Sequence, residues 1–514
     1  MSFFRRFRCA ILACCATLVA SALTFPIFAA GRGELEVNVV DRDTNAPVAV
    51  RMHLRDAKGK PVRVPKVPYH NDHFVFEGKI ILDLPLGAYS FEMERGPEYR
   101  IRNGTFVLER DAKDNTTVDM PRFYDMKKEG WWSGDLHIQR EAKDLDLLMR
   151  AEDLHVAPVV TWGTDVPSSI KPPAADKALL KLESRRFVHL LTGRDRREAG
   201  ELLFFNLNEP LALAGNKGET PSAASFMEQA RKQGTGHIDI GRPYSWDLPV
   251  WIATGMVHSV NVFGDHLLRD GGGIELPGRP RETIRFGGTQ GLGRYSLDVY
   301  YHLLNCGIRL PPTAGSGSGV NNNPVGYNRL YVHCGEELTY EKWWENLRKG
   351  RVVVTNGPLL QPRINGELPG HVFQAEEGKS VQLQIELNLG TREKIEYLEI
   401  VQDGKSVHES RLDEWAKRNG QLPPMTFDKS GWLLIRVVTN NAQTFRGAFS
   451  APYYVEVGYQ PRISKKSAQY FLDWVVERAK RLKIDDPDAR TEVIAYHRQA
   501  RDFWQNLVDK ANAE

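Results

Sequence analysis

The sequence contains few cysteines and almost no net charge. Of its five cysteines, Cys9, Cys14 and Cys15 lie within the first 30 residues, and only Cys306 and Cys334 follow. This number excludes a cysteine-based metal site, whereas the remaining pair is compatible with one disulfide and equally with two buried free thiols. The chain has 68 Lys and Arg against 65 Asp and Glu, a net charge of +3. A chain this close to neutral is not expected to have nucleic acid or an anionic membrane surface as its main partner.

Several common catalytic motifs are also missing. The sequence has no Gly-x-Ser-x-Gly nucleophile elbow, no phosphate-binding P-loop and no evident Ser–His–Asp pattern. After residue 30 no stretch is long and apolar enough to span a membrane. These absences argue against a serine hydrolase with such an elbow and against a P-loop nucleotide-binding protein.

Residues 1–30 have the pattern of a signal peptide. Three arginines near the start precede an uncharged apolar run over residues 9 to about 28, and Ala29 and Ala30 close it. An uncleaved membrane anchor is the alternative, because the run is close to the length that a spanning helix needs. Cleavage would remove the three arginines and leave the chain close to neutral. We therefore expect an exported protein, periplasmic or extracellular, with no membrane contact after cleavage.

Regions on both sides of the centre show the period-two alternation that is typical of β-strands. Residues 31–124 contain two such runs, at 33–40 and 48–54, joined by an Asp-rich turn. This order is similar to the carboxypeptidase-regulatory type of β-sandwich. Residues 361–460 return to the alternation and predict a second β-sandwich. Residues 461–514 carry apolar stripes at helical spacing and predict a helical tail.

The central region, residues 125–360, alternates predicted strands with predicted helices. Residues 187–192 and 236–240 form apolar runs typical of buried strands, and residues 248–254 favour a helix. Repeated units of this kind predict a parallel (β/α) barrel or a layered sheet, with the site at the C-terminal ends of the strands. We therefore predict a multidomain α/β plus β fold, in which a central (β/α) barrel is flanked by two β-sandwich domains and followed by a C-terminal helical tail.

The most informative segment is Gly-Trp-Trp-Ser-Gly-Asp-Leu-His-Ile-Gln-Arg, residues 130–140. If this segment ends a strand, Asp135, His137 and Gln139 point to the same side, because side chains alternate along a strand. Two ligands that lie two residues apart on one face can reach one metal ion. Gln139 offers only a carbonyl oxygen, which is a weaker ligand than imidazole for zinc-like ions. The segment therefore predicts a metal site or a polar pocket near the end of this strand.

Two segments carry a resemblance to a known family. Trp-Ser-Gly-Asp-Leu-His-Ile at 132–138 and Val-Val-Thr-Asn-Gly-Pro at 353–358 resemble the opening and closing segments of the PHP-like metal-dependent hydrolases of the CehA/McbA group. Gly-His-Ile-Asp at 236–239 and Asp-His at 265–266 fit the same pattern, so that the likeness covers about 125–360. The resemblance implies a PHP-like barrel, a divalent zinc or manganese ion, and cleavage of an ester, carbamate or phosphoester bond by metal-activated water. It also implies a small-molecule or glycan-like substrate.

The resemblance further implies roles for individual residues. Three imidazoles with one open position are enough for a catalytic zinc ion. A nearby acid would accept a proton, and an arginine that stands where the family has an acidic ligand would hold an anionic substrate. The implied roles are metal binding for His137, His237, His266 and Asp135, catalysis for Asp239, and substrate binding for Arg194 and Gln139.

The chain departs from the family's pattern at four places. Gln139 occupies the position of the family's second histidine, and Arg194 occupies the position of an acidic ligand. The segment Thr-Trp-Gly at 161–163 replaces Thr-Asp-His, and Gly-Ser-Gly-Ser-Gly at 315–319 replaces Gly-Ser-Asp-x-His. Each candidate histidine also has an ordinary alternative as a hydrogen-bonded residue of the interior. A second hypothesis is therefore a non-catalytic protein that binds a small molecule or a glycan in the pocket of a degenerate hydrolase scaffold.

Overall fold

The computed structural model describes residues 31–167, 170–213, 216–234 and 236–514. The predicted signal peptide lies outside these residues. Of the described residues, 38% lie in strands and 21% in helices. In the described part of the chain, no helix is long and apolar enough to cross a membrane.

The N-terminal region has two sheets that face each other across one apolar core. Side chains of the first strand alternate, so that Leu35 and Val37 are buried whereas Glu34 is exposed. The strands are β1 (Arg32–Asp41), β2 (Ala49–Asp56), β3 (Tyr69–His70), β4 (His73–Glu77), β5 (Lys79–Pro85), β6 (Gly87–Glu94), β7 (Arg102–Leu108) and β8 (Lys113–Met120). One sheet has the order β5-β1-β8 and the other the order β3-β4-β2-β6-β7. This two-layered arrangement agrees with the alternation in the sequence.

The central region combines strands and helices. Its strands are β9 (Trp131–Gly134), β10 (Val156–Gly163), β11 (Leu179–Leu182), β12 (Arg186–Arg197), β13 (Gly200–Phe205), β14 (His237–Ile240), β15 (Ser259–Phe263), β16 (Pro312–Ala314), β17 (Arg329–His333) and β18 (Val352–Thr355). Its helices are α1 (Leu145–Ala151), α2 (Ala223–Lys232), α3 (Leu248–Ala253), α4 (Gly291–Asn305) and α5 (Tyr340–Arg348). The side chain of Ser222 caps α2 by accepting the N–H of Ala224. β12, β14 and α3 overlap the segments where the sequence predicts strands and a helix.

The C-terminal region shares its sheet with the central region. Its strands are β19 (Leu359–Ile364), β20 (Val372–Ala375), β21 (Val381–Gly390), β22 (Ile395–Gln402), β23 (Lys405–Ser410), β24 (Gln421–Phe427), β25 (Gly431–Thr439), β26 (Gly447–Ser450) and β27 (Tyr453–Val457). Its helices are α6 (Leu412–Lys417), α7 (Lys465–Arg481) and α8 (Pro487–Asp509). β18 pairs with β26 and β26 pairs with β25, so the sheet passes from the centre into this region without a break. The helical tail is present as predicted, and Trp504 of α8 donates to the carbonyl of Pro249 in α3 at 2.9 Å.

The predicted central (β/α) barrel is wrong. In such a barrel each strand is parallel to its neighbours and is followed by a helix. Here β12 and β13 run antiparallel through a tight turn that pairs Arg197 with Gly200, and β13 and β14 are antiparallel as well. The main sheet has the order β16-β15-β14-β13-β12-β10-β9-β17-β18-β26-β25-β22-β23. Across the residues that the structure describes, this mixed sheet does not close into a barrel.

The segment after β9 nevertheless lies close to both β10 and the end of β16. The backbone N–H of Leu136 donates to the carbonyl of Ala314 at 3.0 Å. On the other side, the N–H of Val160 donates to the carbonyl of Ile138 at 2.8 Å. The motif at residues 130–140 is therefore held between β10 and the loop that follows β16.

Cys306 and Cys334 are both buried and free. Burial raises the pKa of both thiols, that of Cys334 to about 11. Of the two alternatives that the sequence permits, the structure therefore has the buried free thiols rather than the disulfide.

Candidate functional site

One face of the central sheet is polar and buried. Residues in register across β12 to β16 place their side chains on the same side, because alternate side chains of a strand share a face. We call this surface the polar face; its members are Arg194 and Arg196 of β12, Glu201 of β13, Asp239 of β14, Ser259 and Asn261 of β15, and Thr313 of β16. Apart from Arg196, each is at most 1% exposed. Polar groups this deeply buried need partners, so their hydrogen bonds decide what they can do.

Asp135 connects neighbouring loops by accepting hydrogen bonds from their backbone. Its Oδ1 accepts the backbone N–H of His137 at 3.0 Å and that of Ser316 at 2.8 Å, and its Oδ2 accepts the N–H of Gly326 at 2.7 Å. Burial raises the pKa of Asp135 to about 6 although these hydrogen bonds lower it. Both carboxyl oxygens are engaged with backbone amides, which is a structural role.

His137 lies against the guanidinium of Arg194. The distance from Arg194 Nη1 to His137 Nε2 is 2.8 Å. Asp165 holds the other side of the same guanidinium, with Nε to Oδ1 at 2.9 Å and Nη2 to Oδ2 at 2.6 Å. An arginine can only donate, so Nε2 is the acceptor and the ring proton sits on Nδ1. Burial lowers the pKa of His137 to about 4, which keeps the ring neutral.

Glu201 and Asp265 are bound by two arginines. Arg242 Nη2 and Arg196 Nε donate to Glu201 Oε2 at 2.6 and 2.7 Å. Arg242 Nε also donates to Asp265 Oδ1 at 3.3 Å, and Arg196 Nη2 donates to Asp265 Oδ2. Burial alone would raise the pKa of Asp265, but Arg242 and Arg196 hold it well below its usual range. Two carboxylates and two guanidiniums therefore balance in charge.

Buried histidine and carboxylate side chains occur at distances that can accommodate a metal ion. Within each group the ligand atoms all lie within 4.8 Å of one another. The groups are His137 with Glu201 and Asp265, His53 with Asp72 and His73, and His53 with Glu92 and Glu94. Distance alone thus permits an ion, whereas its identity as zinc or manganese stays a prediction.

Hydrogen bonding and charge around His137 do not suit an ion. The Nδ1 that faces Glu201 carries a proton, and three of the four oxygens of Glu201 and Asp265 already accept from arginines. Because the carboxylates are neutralised, a divalent cation would bring uncompensated charge into a buried site. The residues therefore do not fit a metal ion while Arg194 stays in place.

His237 lies on the same side of the sheet as the polar face, but it is far from the group of His137, Glu201 and Asp265. It begins β14, and Gly241, which lies against Glu201, comes four residues later, a distance of about 13 Å along a strand. Its Nε2 lies 2.7 Å from Ser259 Oγ, and its ring packs at 4.9 Å from that of Trp344. Among the described residues, no histidine–carboxylate group of the kind above contains both His137 and His237.

Asp239 lies inside the polar face and is bound by two hydroxyl groups. Ser259 Oγ donates to its Oδ2 at 2.7 Å, and Thr313 Oγ1 donates to the same oxygen. Burial raises the pKa of Asp239 to about 7. Ser259 also connects Asp239 to His237, so the three side chains form one hydrogen-bonded chain. A catalytic role for Asp239 stays a prediction.

His266 follows β15 and lies beside Asn261 of the polar face, whereas Gln139 lies in the segment after β9. His266 Nε2 lies 3.0 Å from Ser296 Oγ, and burial lowers its pKa to about 4. A Cβ on Gly264 would lie 3.0 Å from His266 Nδ1 and 3.1 Å from Asn261 Oδ1, so these two side chains are neighbours. Gln139 is half-buried, and its Oε1 has no hydrogen-bond partner within the described chain.

Several buried polar atoms around Glu201 lack a partner among the described residues. We call the residues that carry them, together with His137, the polar cluster. The atoms are Glu201 Oε1, Asp239 Oδ1, Arg242 Nη1, Asn261 Nδ2, Asn261 Oδ1 and His266 Nδ1. His137 Nδ1 lies 3.6 Å from Glu201 Oε1, which is longer than a hydrogen bond. An unmet donor or acceptor in the interior costs about 1–3 kcal/mol, so these atoms are available to bond to a further polar group.

Sequence reasoning missed Glu201, Arg242 and Asn261. Glu201 is the second of the six buried residues of β13, and Arg242 comes two residues after the end of β14. A charged residue at the border of an apolar run is the signal that could have found them, because such residues are rarely fully buried without a partner. Nothing in the sequence distinguishes Asn261 from an ordinary strand residue.

Comparisons with known proteins do not show a family. No protein-family model and no curated protein matches the chain. Two solved structures match short stretches of it: a pilus-presented adhesin (10% identity over 18% of this chain, TM-score 0.14) and a streptococcal ancillary pilin (15% identity over 21%, TM-score 0.13). The chain spans only 27% and 36% of those two structures. A Bacteroides uniformis β-glucuronidase aligns over 85% of this chain and 60% of its own, at 9% identity and a TM-score of 0.17. Scores this low carry no argument, and the PHP-like resemblance stays a prediction.

Proposed function

We propose that the protein is an exported binding protein that holds a small, neutral, hydroxyl-rich molecule, such as a sugar or a polyol, at the polar cluster. The observation that carries the proposal is the concentration of buried donors and acceptors without partners among the described residues. A hydroxyl group both donates and accepts, and it therefore matches this mixture of atoms.

Charge balance favours a neutral ligand. The carboxylates of Glu201 and Asp265 offset the guanidiniums of Arg196 and Arg242, and Asp165 offsets Arg194. A charged ligand would lose its hydration without finding an uncompensated opposite charge. His137 Nδ1 and Glu201 Oε1 provide a donor and an acceptor 3.6 Å apart, so one hydroxyl oxygen beside the line that joins them could bond to both.

Binding can be tested with glucose, myo-inositol and glycerol, with glucose 6-phosphate and acetate as charged comparisons. We expect a neutral polyol or sugar to raise the melting temperature and to give a measurable heat of binding. Asn261→Leu, which keeps the volume but removes both amide atoms, should abolish the effect. Asn115→Leu on an exposed strand is the matched control and should leave it unchanged. No response to any neutral compound, together with a destabilised Asn261→Leu variant, would make the cluster purely structural.

Metal-dependent hydrolysis of an ester, carbamate or phosphoester is the second candidate. The spacing of His137, Glu201 and Asp265 supports it, and a zinc or manganese ion would supply the activated water. The hydrogen bond from Arg194 and the two arginines on the carboxylates oppose it. Metal analysis after purification without chelators distinguishes the two candidates: a stoichiometric ion that is lost in His137→Ala supports the hydrolase.

A further inference from the structure

We infer that Arg194 keeps metal ions out of the group formed by His137, Glu201 and Asp265, because it fixes which nitrogen of the His137 ring carries the proton. A histidine binds an ion through the lone pair of one nitrogen, and the other nitrogen then usually carries the proton and donates it. Here the nitrogen that faces the carboxylates is Nδ1. Metal binding would therefore require the proton to move to Nε2.

Arg194 prevents that move. Its Nη1 lies 2.8 Å from Nε2, and a guanidinium has no lone pair with which to accept a hydrogen bond. A proton on Nε2 would place two hydrogens between two nitrogens at hydrogen-bonding distance. Nε2 must accept, so Nδ1 is a donor and not a ligand.

Arg194 is itself held rigidly. Asp165 binds its guanidinium through two parallel hydrogen bonds, a geometry that fixes the plane of the group. The backbone is fixed as well, because Thr164 N–H donates to the carbonyl of Arg194 at 3.0 Å. Gly163 has φ +149°, and a Cβ there would lie 2.0 Å from that carbonyl oxygen, so only glycine permits this approach. The guanidinium cannot turn away without breaking its two hydrogen bonds to Asp165.

Two variants of Arg194 separate its proton-fixing role from mere packing. Arg194→Met keeps most of the volume and removes the donor, whereas Arg194→Lys keeps a cationic donor. We expect Arg194→Met to bind about one Co²⁺ per chain, with at least a tenfold lower Kd than the wild type and with visible absorption bands that respond to ligand geometry. Adding His137→Ala to that variant should abolish the binding, and Arg194→Lys should behave like the wild type.

The inference is overturned if the wild type binds stoichiometric Co²⁺ through His137, or if folded Arg194→Met binds none. Circular dichroism establishes which variants are folded. Should Arg194→Met fail to fold, nitrogen NMR of the ¹⁵N-histidine-labelled wild type decides, with His137→Gln for assignment. A proton on Nδ1 supports the inference, and a proton on Nε2 overturns it. Sugar binding does not enter either measurement, so this inference and the proposed function fail independently.

Discussion

Two buried histidine–carboxylate groups of this protein each contain a histidine that is bonded to an arginine, but they differ in how their carboxylates are bonded. The groups are His53 with Asp72 and His73, and His137 with Glu201 and Asp265. In the N-terminal region Arg51 Nη1 lies 2.8 Å from His53 Nε2, as Arg194 Nη1 does from His137 Nε2 in the central region. Each arginine therefore places the ring proton on Nδ1, which points at a carboxylate. In both groups the arginine therefore makes histidine Nδ1 a hydrogen-bond donor.

The difference lies in the carboxylate that each Nδ1 faces. Asp72 accepts from His53 Nδ1 at 3.0 Å and from His73 Nδ1 at 3.2 Å. Burial would raise its pKa, but these two histidines hold it well below its usual range. Glu201 Oε1 lies 3.6 Å from His137 Nδ1 and has no partner in the part of the chain that the structure describes. The carboxylate of the N-terminal group has its hydrogen bonds within the group, whereas Glu201 Oε1 in the central group has no partner among the described residues.

The largest expected effect on the free energy of unfolding is at the N-terminal group. Asp72→Ala should lower the free energy of unfolding by about 4 kcal/mol, because it leaves the donors of His53 and His73 buried without an acceptor. Urea unfolding measures this loss. Asp83→Ala, which removes an exposed pair with Arg32, is the control and should change stability by less than about 0.5 kcal/mol. Equal losses in the two variants would mean that the N-terminal group is not structural.

Asp239, which belongs to the polar cluster around the central group, gives the stability of the protein a distinctive dependence on pH. Its pKa is raised to about 7 in the folded state, so folding favours the protonated form and stability falls as pH rises from about 4 to about 7. Asp239→Asn should remove a fall on the order of 3 kcal/mol. Urea unfolding at several pH values measures the difference between wild type and variant. Curves that stay parallel over this range would contradict the assignment.

Asn261→Leu is expected to change stability in the opposite direction from Asp72→Ala. Both amide atoms of Asn261 are buried without partners in the described chain, so a leucine of similar shape should raise the free energy of unfolding by about 2 kcal/mol. Binding of a polyol should be lost at the same time. Such an exchange of stability for binding is expected of a site, and a destabilised variant would argue that Asn261 serves the fold.

The smallest expected effect is on His137 itself. His137→Gln should lower the free energy of unfolding by only about 1 kcal/mol, because Arg194 keeps both of its bonds to Asp165. His53→Gln is the matched variant and should cost about 3 kcal/mol, since it disrupts the N-terminal group. Chemical unfolding compares the pair, and a larger loss at His137 would reverse the comparison.

Local structure could be predicted from the sequence, but strand pairing could not. Residues 248–254 favour a helix in the sequence, and α3 occupies Leu248–Ala253. The hairpin between β12 and β13 went unrecognised, because its turn, residues 198–199, has none of the Gly, Asn or Pro signals of such turns. That hairpin replaces a strand–helix–strand unit and removes the predicted barrel.

The sequence indicates some residues of the candidate site, and their predicted roles stay predictions. His137 and Arg194 were both chosen from the sequence and lie in direct contact. The sequence predicts a site at the C-terminal ends of the strands and includes His237 in it, but His237 is the first residue of β14. A short motif does not show at which end of a strand a residue lies. Pairings such as Glu201 with Arg242 depend on strand register, which no local pattern specifies.

The central claim is that the gap between His137 Nδ1 and Glu201 Oε1 holds a polar molecule and not a metal ion. A high-resolution crystal structure with anomalous scattering data, from crystals grown with zinc and manganese present, tests it most directly. We predict an oxygen atom about 2.8 Å from both atoms, without an anomalous signal. An anomalous peak about 2.1 Å from His137 Nδ1 would contradict the account.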